Sequence, residues 1–177
     1  MNRATLPFVF ALCLTSSVFA LEIKDATPEK FFGGAENLGI VMKAREVMVF
    51  RIVENETHGK KLVPVDGNQC EAGPKTVAGP EVENVVKQFS NMSNFGVMLM
   101  CDFDPAVIFR FETDAGTVDV VVCFGCGEMM LYRNGKMIDR EFEFANHKNT
   151  FRRDARRAFT ALAKKAFPDD PEIKSLP

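Results

Sequence analysis

Two short segments, Val107 to Phe111 and Val118 to Val122, alternate in character on either side of the turn formers Thr113, Asp114, Ala115 and Gly116. Alternation with period two, closed by a turn ending in glycine, predicts a β-hairpin. Its register can be written down. With Glu112 facing Thr117, one face pairs Phe111 with Val118, Phe109 with Val120 and Val107 with Val122. The other face sets Arg110 opposite Asp119, beside Ile108 and Val121. The first face is core. The second reads as an exposed ion pair worth about 0.2–1 kcal/mol, whose use is to fix register, because a slip of one residue would bury Arg110.

The remaining segments read as cover for this hairpin. Glu46 to Val53 is nearly all apolar apart from Arg51 and predicts a strand buried on both sides, or on one side with its other face partly exposed near Arg51. Thr27-Pro28-Glu29 is a helix start that Gly33-Gly34 ends within two turns. Asn55 to Gly79 is the most loop-like region, with Cys70 in its middle. Gly79-Pro80 opens a helix over Pro80 to Asn91 in which Val82, Val85, Val86 and Phe89 form one stripe. Val97 to Met100 is a short apolar run, and Asp102-Phe103-Asp104-Pro105 bends the chain before the hairpin. Beyond it, Glu128 to Arg133 makes a third strand, Asn134-Gly135 a tight turn, and Lys136 to Phe144 a returning strand. A last helix over Thr150 to Phe167 is capped by Asn149 or Thr150. Its apolar stripe includes Phe151, Ala155, Phe159 and Leu162; Arg152, Arg153, Arg156, Arg157, Lys164 and Lys165 lie on the other side. The pattern predicts an α+β fold: a mainly antiparallel sheet of about five strands with two amphipathic helices covering one face.

Residues 1–20 have the three parts of a secretory signal: Arg3, an apolar run from Leu6 to Leu14, and the small-residue ending Val18-Phe19-Ala20. Cleavage after Ala20 removes Cys13 and leaves residues 21–177 as a single domain, exported to the periplasm or secreted, with no stable membrane insertion. The whole chain has a net charge of −2, and loss of Arg3 makes it one unit more negative, which argues against a nucleic-acid partner. On that background the basic face of the last helix is either a solvated surface or a docking surface for an acidic protein partner.

Export into an oxidising compartment directs attention to Cys70, Cys101, Cys123 and Cys126. The hairpin register brings Cys101, Cys123 and Cys126 to one corner. Four readings are open there. A structural cystine would join Cys101 to Cys123 or Cys126, with the remaining thiol free or paired to Cys70. A structural metal site would use Cys101, Cys123 and Cys126 as ligands, since strand, Cys-Phe-Gly-Cys-Gly, strand has the shape of a zinc knuckle. A dithiol redox centre normally needs a helix after its cysteines, and a strand follows here. Reduced, inert thiols are the fourth. His58 and His147 sit in polar loops, no serine has a Gly-x-Ser-x-Gly context, and proline interrupts the Asp102, Asp104 series before it could become a calcium loop. With no Trp and one Tyr, a sugar-stacking platform is poorly supported. No cofactor and no catalytic residue is specified.

The Phe103-Asp104-Pro105, Phe109-Arg110-Phe111 and Val120 to Cys126 segments resemble a group of small exported bacterial proteins of unknown function, which share a proline turn, an Arg-Phe strand, a Val-Asp-Val strand and Cys-Phe-x-Cys. The resemblance implies an exported single domain and a shared role for Cys101, Cys123 and Cys126; it carries no activity. Two functions therefore stand: a non-catalytic binding or interaction module with a structural cysteine cluster, or a metal-binding or thiol-redox protein using the Cys-x-x-Cys corner.

Overall fold

The computed structural model describes residues 27–53, 61–96, 102–139 and 150–177. The expected signal segment, His58, the Val97 to Met100 run, Cys101, His147, Asn149 and the Phe142 and Phe144 part of the returning strand lie outside them.

The chain opens with α1 (Pro28–Phe31), where Thr27 accepts the Lys30 N–H and proline holds the first position. A second helix, α2 (Ala35–Lys43), follows at once and buries Ile40 and Val41. Then come β1 (Glu46–Arg51), β2 (Leu62–Val65), β3 (Asn68–Glu71), β4 (Lys75–Ala78) and α3 (Pro80–Phe89). A 3-10 turn at Met92–Asn94 leads into β5 (Phe95–Gly96). The expected hairpin is β6 (Val107–Thr113) and β7 (Gly116–Cys123), followed by β8 (Glu128–Arg133) and β9 (Lys136–Met137). The chain ends with β10 (Thr150–Phe151), α4 (Arg153–Ala166) and α5 (Pro171–Ser175).

The fold is α+β with an antiparallel sheet, in the order β4-β1-β6-β7-β8-β10-β5 and with β9 beside β8. That sheet has eight strands rather than about five, because β4 lies in the stretch read as loop and β5 and β10 are two-residue strands too short to show a period. The β6–β7 register is the expected one, with Phe111 opposite Val118, Phe109 opposite Val120 and Arg110 opposite Asp119. The last helix starts at Arg153, three residues later than expected, because the backbone of Thr150 and Phe151 is already used to pair with Gly96, Phe95 and Glu128. Among the described residues no helix is long and apolar enough to cross a membrane.

The two faces of the sheet differ in size. One carries Val47, Val49, Val107, Phe109, Phe111, Val118, Val120 and Leu131 into a large core under the helices. Phe89 stands at its centre, with the rings of Phe31, Phe32, Phe95, Phe111 and Phe159 all 4.9–6.2 Å away. The other face was expected to meet solvent and does not. The segment read as a loop forms a separate β2–β3 hairpin, and Val65 and Cys70 from it pack on Phe50, Ile52, Ile108 and Val121. Its turn is Asp66-Gly67, with φ of 49° and 79°, the left-handed pair that an Asp-Gly hairpin turn requires.

Of the two alternatives for β1, the structure shows the strand covered on both sides, and Arg51 is 7% exposed. Its guanidinium donates to Asp170 at 2.9 Å and to the carbonyls of Ile52 and Ala106 at 2.6 and 3.0 Å, and it also pairs with Glu172. Burial alone would push Asp170 up, but the Ile173 N–H and the Arg51 charge hold it below the usual carboxylate range. Arg51 thus ties the end of β1 to α5.

Candidate functional site

The cysteine corner is a four-residue turn, Phe124 to Gly127, between β7 and β8. Gly127 has φ of 72°, and a Cβ there would come within 2.7 Å of Arg156. Arg156 donates to the Phe124 carbonyl at 2.5 Å and stacks its guanidinium over Phe151, 5.3 Å from the ring centre. One member of the expected basic face is therefore a strut for the corner. Cys123 is 1% exposed, and its sulfur accepts the Cys126 N–H at 3.4 Å. The sulfur of Cys126 lies 3.3 Å from the carbonyl oxygen of Asp102, the residue that follows Cys101 in sequence. The free cysteines among the described residues are Cys70 and Cys123; Cys126 carries no free thiol. Directly across the ladder from Cys123 is Glu128, 4% exposed, whose Oε1 is buried without a hydrogen-bond partner among the described residues.

Cys70 does not join this corner, nor does it lie in a loop. It is fully buried on β3 and bridges Ile52; Ile52 N–H donates to Ala106, and Ala106 N–H to Val122. Cys70 belongs to the smaller core under the β2–β3 hairpin, with Phe50, Ile52, Ile108 and Val121, a cluster that does not include Cys123. Among the described residues no group of three His, Cys, Asp or Glu side chains is arranged to hold a metal ion. Of the expected ligands, Cys123 and Cys126 are brought together, and Cys101 lies outside the described residues.

A second cluster sits on the sheet face under the β2–β3 hairpin. Asp119, read as exposed, has no exposed surface; Arg110 grips both its oxygens, at 2.8 and 2.6 Å. The correction follows from the hairpin, which turns the outer face of β7 into an interior. Arg110 also lies over Phe50, 4.9 Å from the ring centre. Asp66, from the hairpin turn, is half-buried and lies within reach of a hydrogen bond with the Asp119 carboxyl. Burial first, then that bond and the Asp119 charge, push the Asp66 carboxyl up to about 7 against the opposing pull of Arg110. Burial and the charge of Asp66 likewise push the neighbouring Cys70 thiol up to about 12, leaving it unreactive. Burial, with Asp66 behind it, also raises Tyr132. The sequence signals were Asp66-Gly67 between two short apolar runs and an aspartate in the middle of a valine strand. The first marks a hairpin, and the second needs a partner on whichever face is covered.

The last helix presents a third feature. Lys164 donates to the Leu176 carbonyl and Lys165 pairs with Glu81, so neither is free for a partner. Arg153 and Arg157 are exposed and make no ion pair among the described residues. Beside them, α3 and α4 enclose a cleft of about 590 Å³ lined by Asn84, Lys87, Gln88, Asn94, Asp154 and Arg157. Its amides are held in a chain: Asn94 donates to Gln88 at 2.8 Å and Gln88 to Asn84 at 3.1 Å.

No protein-family model, curated protein or solved structure matches the chain.

Removing one partner of a buried ion pair strands the other charge. Asp119→Ala is expected to lower stability by about 3–5 kcal/mol in urea unfolding followed by circular dichroism. An Arg110→Met/Asp119→Leu double variant, which removes both charges, should recover a large part of that loss.

Proposed function

We propose that the chain is an exported, non-catalytic binding module with a structural cystine corner, and that it receives an acidic protein partner on the α3–α4 face. The observation that carries this reading is the cleft itself, which places Arg157, a cation with no ion pair among the described residues, beside Lys87 and a pre-ordered set of amides, with the exposed Arg153 one helical turn before it. Cations and amide N–H groups held in place suit carboxylates, and on an acidic chain they form a local patch of opposite sign that can steer such a partner. The export part of the reading rests on the signal-like residues 1–20. The corner is proposed as a Cys101–Cys126 cystine, supported by the Cys126 sulfur beside Asp102 and by its lack of a free thiol. Cys123 then remains a buried, spare thiol.

A poly-glutamate peptide is the simplest probe. It is expected to bind at low ionic strength and to weaken as salt rises. An Arg153→Glu/Arg157→Glu variant should bind at least tenfold more weakly, about 1.4 kcal/mol. A variant that binds as the parent does would place the contact elsewhere.

A second reading is favoured by Glu128, a buried carboxylate facing a buried thiol. In that reading Glu128 takes the Cys123 proton, the Cys123 sulfur attacks Cys126, a Cys123–Cys126 bond forms, and Cys101 leaves as thiolate. Equilibration with glutathione buffers separates the two. A structural cystine is expected below about −300 mV, whereas a midpoint between about −270 and −180 mV supports thiol exchange.

A further inference from the structure

We propose that Asp66 holds a proton against the buried Asp119 carboxylate, and that this proton latches the β2–β3 hairpin over the second face of the sheet: the hairpin closes when the proton is held and lifts when it is lost. The inference is independent of the partner face and of the cystine.

The geometry makes the case before any titration is considered. Asp119 is fully buried and both its oxygens already accept from Arg110. Asp66 comes down onto it from the hairpin turn, and Oδ2 of Asp66 is buried with no hydrogen-bond partner among the described residues. Two carboxylates in contact repel, and a buried oxygen without a donor costs free energy. One proton on Asp66 removes both faults, because the neutral acid donates to Asp119. Arg110 carries one positive charge against the two carboxylates, so the cluster is balanced when a single proton is present.

The groups facing Asp66 come from every strand beneath it. Asp119 on β7 raises it, Arg110 on β6 lowers it, and Cys70 on β3 and Tyr132 on β8 are themselves raised by it. Glu112 adds its charge to the surroundings of Arg110. Arg133 is turned away toward Glu36.

Among the described residues, few other contacts hold the hairpin. It gives the second core Val65 and Cys70 as its buried apolar side chains, with Val63 partly covered. Its backbone joins β1 through the Ile52–Cys70 bridge and the Val53 N–H to Gln69 carbonyl bond of 2.9 Å.

The sign is fixed by comparing the two states. In the closed state Asp66 keeps its proton up to about pH 7; in the lifted state, in water, it loses it near its ordinary 3.8. Between those values the lifted state binds fewer protons, so each unit of rising pH favours opening about tenfold. Above pH 7 both states have lost the proton and the dependence ends.

Cys70 reports the opening. Its modification by iodoacetamide is measured site by site by mass spectrometry and divided by the rate in the urea-unfolded chain at the same pH, which cancels the intrinsic thiol titration. The normalised rate is expected to rise about tenfold per unit from pH 5 to pH 7 and level off by pH 8. Cys123, buried outside the hairpin, should show no such rise. Asp66→Asn is the decisive variant, since asparagine tolerates the φ of 49° and its amide donates to Asp119 as the protonated acid would. It should stay at the low pH 5 rate throughout. A flat wild-type profile, a parallel rise at Cys123, or an Asp66→Asn profile like the wild type would each overturn the latch.

Discussion

A carboxylate with no exposed surface in the middle of a strand has to be met by charge, and on β7 Asp119 is met by both nitrogens of the Arg110 fork. The pair joins neighbouring strands at one register position, and a slip of one residue would carry both charges into the phenylalanine-rich core. The aromatic face, the corner at the end of β7 and the hairpin over the opposite face all inherit that register. Asp119 therefore does more than hold two strands together. Its remaining charge sets the environment of whatever covers it, and Asp66 is the group that does.

The two covers of the sheet are built differently. The helical side buries five phenylalanine rings around Phe89, a large apolar area whose removal from water stabilises by about 25 cal/mol per Å². Among the described residues the hairpin side has the smaller apolar core, around Phe50, Ile52, Ile108 and Val121, with the Arg110–Asp119 pair beside it. A region with few buried apolar contacts opens at lower free energy than the core beside it. A larger and a smaller apolar core are thus separated by a single sheet, and the corner is anchored to the larger one, by Arg156 from α4 and by Phe124 against Phe151.

Much of this could be read from the residues. The alternation of Val107 to Phe111 against Val118 to Val122 predicted the register residue by residue, since period two and a glycine-ended turn leave little freedom. The α3 stripe and the Asn134-Gly135 turn were legible for the same reason, being local. What escaped was set by distant contacts. β5 and β10 are strands only because each finds the other, and α4 begins late because Thr150 and Phe151 are already committed to pairing. Gly39 inside α2 hid that helix, being a poor helix former. The exposure of Asp119 was misjudged because sequence alternation marks two faces without saying which will be covered. The covering hairpin was visible as Asp66-Gly67 between apolar residues, yet the glycine, proline and charge around it outweighed that signal. At the corner, Cys123 and Cys126 fell together as the strand ends required, while Cys70 proved to belong to the other cluster.

The central claim is that the second face closes over a protonated acid held against a buried ion pair. Carbon-13 NMR of the aspartate carboxyl groups, followed from pH 4 to pH 9, tests it directly. The account predicts that Asp66 titrates near pH 7 and that Arg110→Met shifts that midpoint upward, since Arg110 opposes the rise. An Asp66 carboxyl titrating near its ordinary 3.8, unmoved by loss of Arg110, would contradict it.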